Sequence, residues 1–85
     1  MEPLEDRLVE CFSAVFPKRS REEILVANQT SFAEWDSLAG VTLLTLLQEE
    51  FKIEVDLMDL GDLGSYAAVR RYVALLVDQG RGLAG

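Results

Sequence analysis

Glu34-Trp35-Asp36-Ser37-Leu38 runs without a break into an apolar-rich stretch at 39–51, and the rest of the chain is arranged around this junction. Asp36 suits a helix N-cap: its carboxylate can accept a backbone N–H of the first turn and sets a negative charge at the positive end of the helix dipole. Ser37 then takes the first helical position. With Asp36 capping, the Ser37 hydroxyl is left to face outward beside unpaired N–H groups, a place that favours a phosphate. On the helix predicted for Ser37–Phe51, the residues Gly40, Leu43, Leu44, Leu47 and Phe51 fall on one face, with Val41 and Leu46 on its flanks. The opposite stripe is Leu38, Thr42, Thr45 and Glu49, with Ala39 and Gln48 beside it, and it carries little charge for an exposed surface. Two readings fit: a docking face headed by Leu38, or a Leu38 tucked into the preceding loop above solvated threonines. Gly40 costs about 1 kcal/mol of helix propensity relative to alanine. Close approach by another segment, or ordinary tight packing against a neighbouring helix, would account for it.

The chain before this helix reads as one more helix and a long connection. Pro3 suits a first helical turn, and Leu4, Leu8, Cys11, Phe12, Val15 and Phe16 recur at spacings of three and four until Pro17. Residues 18–35 form a loop that is long for so small a domain and needs its own anchors. Ser20-Arg21-Glu22-Glu23 and Ser31-Phe32-Ala33-Glu34 both have capping-box spacing, so each is expected to start a turn of helix. Ile24, Leu25, Val26, Phe32 and Trp35 are expected to pin the loop to the core.

After the central helix, Lys52-Ile53-Glu54-Val55 alternates like a strand but has nothing to pair with, so it reads as a linker with Ile53 and Val55 inward. Asp56-Leu57-Met58-Asp59-Leu60 fits one acidic helical turn capped by Asp56 and closed by Gly61. Ser65 caps a last helix in which Tyr66, Val69, Tyr72, Val73, Leu76 and Val77 share a face, with Arg70 and Arg71 outside it. Residues 78–85 should fray, which leaves a domain over 1–77. Three long helical segments and one short one point to an all-α fold, a small four-helix bundle.

Composition narrows the function classes. Eighty-five residues, 49% hydrophobic, allow one small domain, and a net charge of −7 opposes nucleic acid and anionic membranes while implying basic partner surfaces. The single Cys11 cannot form an internal disulfide and falls on the buried stripe; there is no cysteine or histidine cluster for a metal. Asp56, Asp59 and Asp62 lack calcium-loop spacing and read as surface charge. The chain has no histidine to activate a serine, and Asp36-Ser37 is not a nucleophile elbow, so no catalytic residue is assigned and the chain is not read as an enzyme. An acidic start and the absence of a long apolar run predict a cytoplasmic protein without membrane insertion, expected to be a monomer.

Asp36-Ser37-Leu38, followed by Val41, Leu43, Leu47, Glu49, Glu50, Phe51 and Ile53, resembles the attachment region of the acyl carrier proteins, and the similarity extends over roughly the whole chain. The resemblance implies the same four-helix fold. It also implies that a phosphopantetheinyl transferase moves 4′-phosphopantetheine from coenzyme A onto Ser37, with Asp36 as cap and as part of what that enzyme recognises. The arm would hold acyl or aminoacyl intermediates as thioesters and present them to a loading enzyme and to downstream transferases. The resemblance favours Leu38, Thr42, Thr45 and Glu49 as the partner-docking stripe. Departures from the family pattern are Glu34-Trp35 before the motif and Ala39, Thr42 and Gln48 after it. They favour a freestanding carrier of a specialised pathway over one serving a standard fatty acid synthase. The alternatives are a helical adaptor without a prosthetic group and a peptidyl or D-alanyl-type carrier.

Overall fold

The computed structural model describes residues 4–78, in which helix α1 (Leu4–Val15) buries Leu8, Val9, Cys11 and Phe12. Phe16 extends that stripe just past the helix end and donates its N–H to the Phe12 carbonyl at 2.8 Å; Pro17 then stops the ladder. The expected helix start at Pro3 and all of the expected 78–85 tail except Asp78 lie outside the described residues.

Helix α2 (Arg21–Leu25) is the short turn expected after Ser20. The Ser20 hydroxyl accepts the Glu23 N–H at 3.2 Å, and the Glu23 carboxylate accepts the Ser20 N–H at 2.9 Å. The second expected capping box does not form. Asn28 Oδ1 accepts the Ser31 N–H at 2.8 Å and the Ser31 hydroxyl bonds back to Asn28, so Ser31 closes a turn instead of opening a helix. Val26, expected inward, ends α2 and faces solvent; Ala27 takes the buried place beside Ile24.

Helix α3 (Ser37–Phe51) buries Gly40, Leu43, Leu44, Leu47 and Phe51, the face read from the periodicity. It runs antiparallel to α1. Arg7 near the start of α1 meets Glu50 near the end of α3, while Phe16 beyond the end of α1 packs on Trp35 before α3 begins. Arg7 donates to the Glu50 carboxylate at 2.9 Å and to its carbonyl at 2.6 Å, and its guanidinium lies 4.5 Å from the Phe51 ring centre. One side chain thus caps a last-turn carbonyl and neutralises an acid. Lys52, in the left-handed region at φ 56°, ends the helix and turns the chain so that Ile53 and Val55 enter the core.

Asp56 caps the next segment, accepting the Met58 N–H at 2.9 Å. That segment is a 3₁₀ helix over Leu57–Asp62, not a turn closed by Gly61, which lies inside it. It packs on α3 and is tied to the last helix by the Tyr72 hydroxyl, which donates to Asp59 at 2.9 Å. Helix α4 (Tyr66–Asp78) starts at Ser65, whose hydroxyl accepts the Ala68 N–H at 3.1 Å. Tyr66, Val69 and Val73 are buried and Tyr72 and Leu76 half-buried, but Val77, expected on the same face, is exposed. Asp78 belongs to this helix and not to a tail.

Three long helices with one short 3₁₀ helix form the expected all-α bundle, with α2 added in the long loop. Helix α1 is its centre, touching α2, α3 and α4. An isolated bridge between Asn28 and Ser65 pins the loop to the start of α4, with Tyr66 N–H donating to the Ala27 carbonyl at 3.0 Å.

Candidate functional site

The approach to Ser37 is held by aromatic packing and by charge. Trp35 is only 4% exposed. Its ring meets Phe12 edge-on at 5.6 Å and lies 5.6 Å from Phe16 and 6.4 Å from Phe32. Arg19 grips the neighbouring Glu34 with two parallel bonds of 2.8 and 2.9 Å, reaches Glu23 at 3.2 Å, and lies 4.1 Å over the Phe32 ring. Hydrogen bonding from Arg19 holds the Glu34 carboxyl down at about 2 and raises the pKa of Arg19 itself. Glu34 is therefore ionised across the physiological range and committed to the loop.

Asp36 emerges from this anchor in an extended conformation. Its Oδ1 accepts the Ala39 N–H at 2.9 Å and its carbonyl accepts the Gly40 N–H at 2.9 Å. The cap read from the sequence is thus formed. Ser37 is the first residue of α3 and is exposed, and its hydroxyl has no protein hydrogen bond among the described residues. The Ser37 and Leu38 N–H groups likewise find no protein acceptor there. Free first-turn N–H groups and the helix dipole suit a phosphate on Ser37, although Asp36 shares that end and offsets part of the preference.

Leu38, Thr42, Thr45 and Glu49 all lie on the exposed side of α3. Leu38 is 75% exposed, which removes the reading that tucked it into the loop, and Val41, placed by periodicity on a flank, is 39% exposed beside it. Thr42 donates its hydroxyl to the Leu38 carbonyl and Thr45 to the Val41 carbonyl, each at 3.0 Å. Ala39 and Gln48 are drawn toward the core instead; Gln48 is half-buried and accepts the Val55 N–H at 2.8 Å, so it holds the linker after α3. Met58, 86% exposed on the 3₁₀ helix, is a further apolar surface residue that no periodicity marked.

Other groups are structural. The Cys11 thiol is buried, and burial, followed by Glu50, pushes its pKa up to about 11. Among the described residues no three His, Cys, Asp or Glu side chains converge as a metal site, and no helix is long and apolar enough to cross a membrane.

A family model described as the phosphopantetheine attachment site matches residues 6–73, a span that runs from α1 through most of α4. No curated protein and no solved structure matches the chain.

Proposed function

Because the chain belongs to the phosphopantetheine-attachment family, whose domain carries 4′-phosphopantetheine covalently, we propose that Ser37 is the residue that takes the arm. The observation that carries this is the state of its hydroxyl. Of the five serines, Ser20 and Ser65 are occupied as helix caps, Ser31 is bonded to Asn28, and Ser13 lies within α1; Ser37 is exposed at a capped helix start, with no hydrogen bond to its hydroxyl among the described residues.

The residues present fit the group. The Ser37 oxygen bonds to the pantetheine-bearing phosphorus of coenzyme A, the P–O–P bridge breaks, 3′,5′-adenosine bisphosphate leaves, and the serine proton passes to a base of the transferase. We assign that base to the transferase, since the adjoining Asp36 is committed to the Ala39 N–H as the helix cap. Asp36 fixes the helix start, hence the direction in which Ser37 points, and is part of the surface the transferase reads. Once attached, the arm supplies a terminal thiol for an acyl or aminoacyl cargo. The chain's own task is to hold that arm at a rigid, exposed point and to offer the stripe of Leu38, Thr42, Thr45 and Glu49 to the enzymes that load and unload it. An adaptor without a prosthetic group leaves both the free Ser37 and the family match unexplained.

Incubation with coenzyme A and a broad-range phosphopantetheinyl transferase, read by intact mass, tests the assignment. The wild-type chain should gain one phosphopantetheine, and Ser37→Ala should keep its helical circular dichroism and gain none. A mass gain that persists in Ser37→Ala would place the arm elsewhere.

A further inference from the structure

Tyr66, the first residue of α4, is only 3% exposed, and its ring packs on Phe12 at 5.1 Å. Its hydroxyl is the one buried side-chain polar atom without a hydrogen-bond partner among the described residues. A phenylalanine would pack on Phe12 without that cost, so the hydroxyl calls for an acceptor. Burial, and after it Glu5, raises the pKa of Tyr66, so the oxygen keeps its proton and remains a donor.

Tyr66 lines an open cleft of about 510 Å³ between α1, α2 and α4, together with Glu5, Leu25, Ala67, Arg70 and Arg71. The charges that act most on its hydroxyl, Glu5 and Arg70, line the same cleft, which sets the oxygen on that side of the ring. Helical side chains lean toward the N-terminus, and residues four apart stack on one face. Arg70 follows Tyr66, and Arg71 follows Ala67, by that interval. Both guanidinium groups are therefore directed back over the cleft, and the small Ala67 leaves them room. Neither has an acid partner among the described residues, whereas Arg7, Arg19 and Arg21 are all paired. On the opposite wall Arg21 binds Glu5 at 3.3 Å and Asp6 at 2.6 Å. Three guanidinium groups thus meet two carboxylates, a positive place on a chain of net charge −7.

A hydroxyl donor beside two planar guanidinium forks matches a carboxylate. Glu5 and Asp6 on the α1 side repel a phosphate dianion more strongly than a monoanion. Leu25, half-buried, and Ala67 add an apolar wall. We propose that this cleft binds a monocarboxylate with a short aliphatic body, the Tyr66 hydroxyl donating to one carboxylate oxygen, Arg70 and Arg71 holding the charge, and Leu25 and Ala67 receiving the aliphatic part. No residue of α3 lines the cleft, so the site is separate from Ser37.

The test is a titration of the unmodified chain near neutral pH and at constant ionic strength, followed by the backbone amide NMR signals, with sodium hexanoate as the probe. Hexanoate should shift the amides of residues 66–71 saturably, with a Kd below about 20 mM, and hexan-1-ol and inorganic phosphate should bind at least about five-fold more weakly. Tyr66→Phe and the double variant Arg70→Gln/Arg71→Gln should each weaken hexanoate about five-fold or more. Lys52→Gln, which removes an exposed cation outside the cleft, should leave the Kd within about two-fold. Tyr66→Phe keeps the ring that packs on Phe12, and both arginines are exposed, so the spectra themselves check that each variant is folded. The site is overturned if residues 66–71 show no saturable shift, or if Tyr66→Phe or the double variant binds as wild type does. Hexan-1-ol binding as tightly as hexanoate would reduce the cleft to an apolar groove, and phosphate binding as tightly would reduce it to an unselective cationic patch. N-acetylglutamate methylamide binding as tightly as hexanoate would make it a seat for an acidic side chain of another protein, which equally overturns the assignment to an aliphatic acid.

Discussion

Upstream of Ser37, residues 32–36 are tied down by two buried aromatic side chains, an arginine that binds the Glu34 carboxylate through two bonds, and a capping carboxylate. Downstream, residues 38–45 expose Leu38, Val41, Thr42 and Thr45 on the side turned away from the core, and among the described residues the two threonine hydroxyls bond only to their own helix. The same few residues of chain thus contain a segment whose side chains are almost all engaged and one whose outward side chains are almost all free. The contrast has a physical rationale. If Ser37 carries the arm, as proposed, a mobile attachment point would gain nothing, because any disorder there would have to be removed by each partner at the cost of affinity. On the same reading, a surface that enzymes are to cover has to stay unpaired until they arrive.

The variant expected to weaken the anchored side most is Trp35→Ala. Removal of a nearly buried indole that meets three phenylalanines should cost about 3–5 kcal/mol, a large share of what a domain of this size holds in reserve. Urea unfolding followed by circular dichroism would show it. A loss below about 1 kcal/mol would mean that the loop is not fixed through Trp35 and that the contrast between the two sides is overstated.

Much of this arrangement was legible before any coordinates, and the reason is local. The buried face of α3 follows from a period of 3.6, and the caps at Ser20, Asp36 and Ser65 follow from short polar side chains at the right offset from a helix. The failures are of another kind. Ser31 has the spacing of a capping box, but Asn28, three residues earlier, competes for its N–H and wins. Glu34, the other half of that box, is taken by Arg19 across 15 residues, a partnership that local spacing does not mark. Val26 and Val77 fit an apolar pattern yet are exposed: Val26 ends a five-residue helix, and Val77 lies in the last turn of α4. That the Thr42 and Thr45 hydroxyls turn back to carbonyls of their own helix is a matter of rotamer choice that a sequence does not carry.

A smaller effect should appear on acidification. The native Glu34 carboxyl titrates at about 2, against about 4.5 when free, because Arg19 favours the charged form. Between those values the unfolded chain binds more protons than the native one, so the contribution of Glu34 is complete above about pH 4.5 and drains away as pH falls toward 2. Wild type should therefore exceed Glu34→Gln in urea midpoint at about pH 6, and the gap should narrow at about pH 3. A gap that stays constant would show that the Arg19 grip contributes nothing to stability that depends on the charge of Glu34.

The smallest effect on stability is expected on the open side, and it sharpens the comparison most because function and folding should separate there. Thr42 is exposed and its one hydrogen bond is to its own helix, so Thr42→Arg should change the unfolding free energy by no more than about 0.5 kcal/mol. Helix propensity even runs slightly in its favour, since arginine is a better helix former than threonine. Yet the substitution sets a long charged side chain beside the exposed Leu38 and Val41, where a partner covering the stripe would have to desolvate it. Transfer of phosphopantetheine to Ser37 should therefore slow by about ten-fold or more on fully folded protein. If Thr42→Arg instead unfolds the domain, the threonine belongs to the packed side of α3 and the division drawn at Ser37 is misplaced. If it folds and is modified at the wild-type rate, the exposed face of α3 lies outside the transferase footprint, and the openness of residues 38–45 serves some other contact.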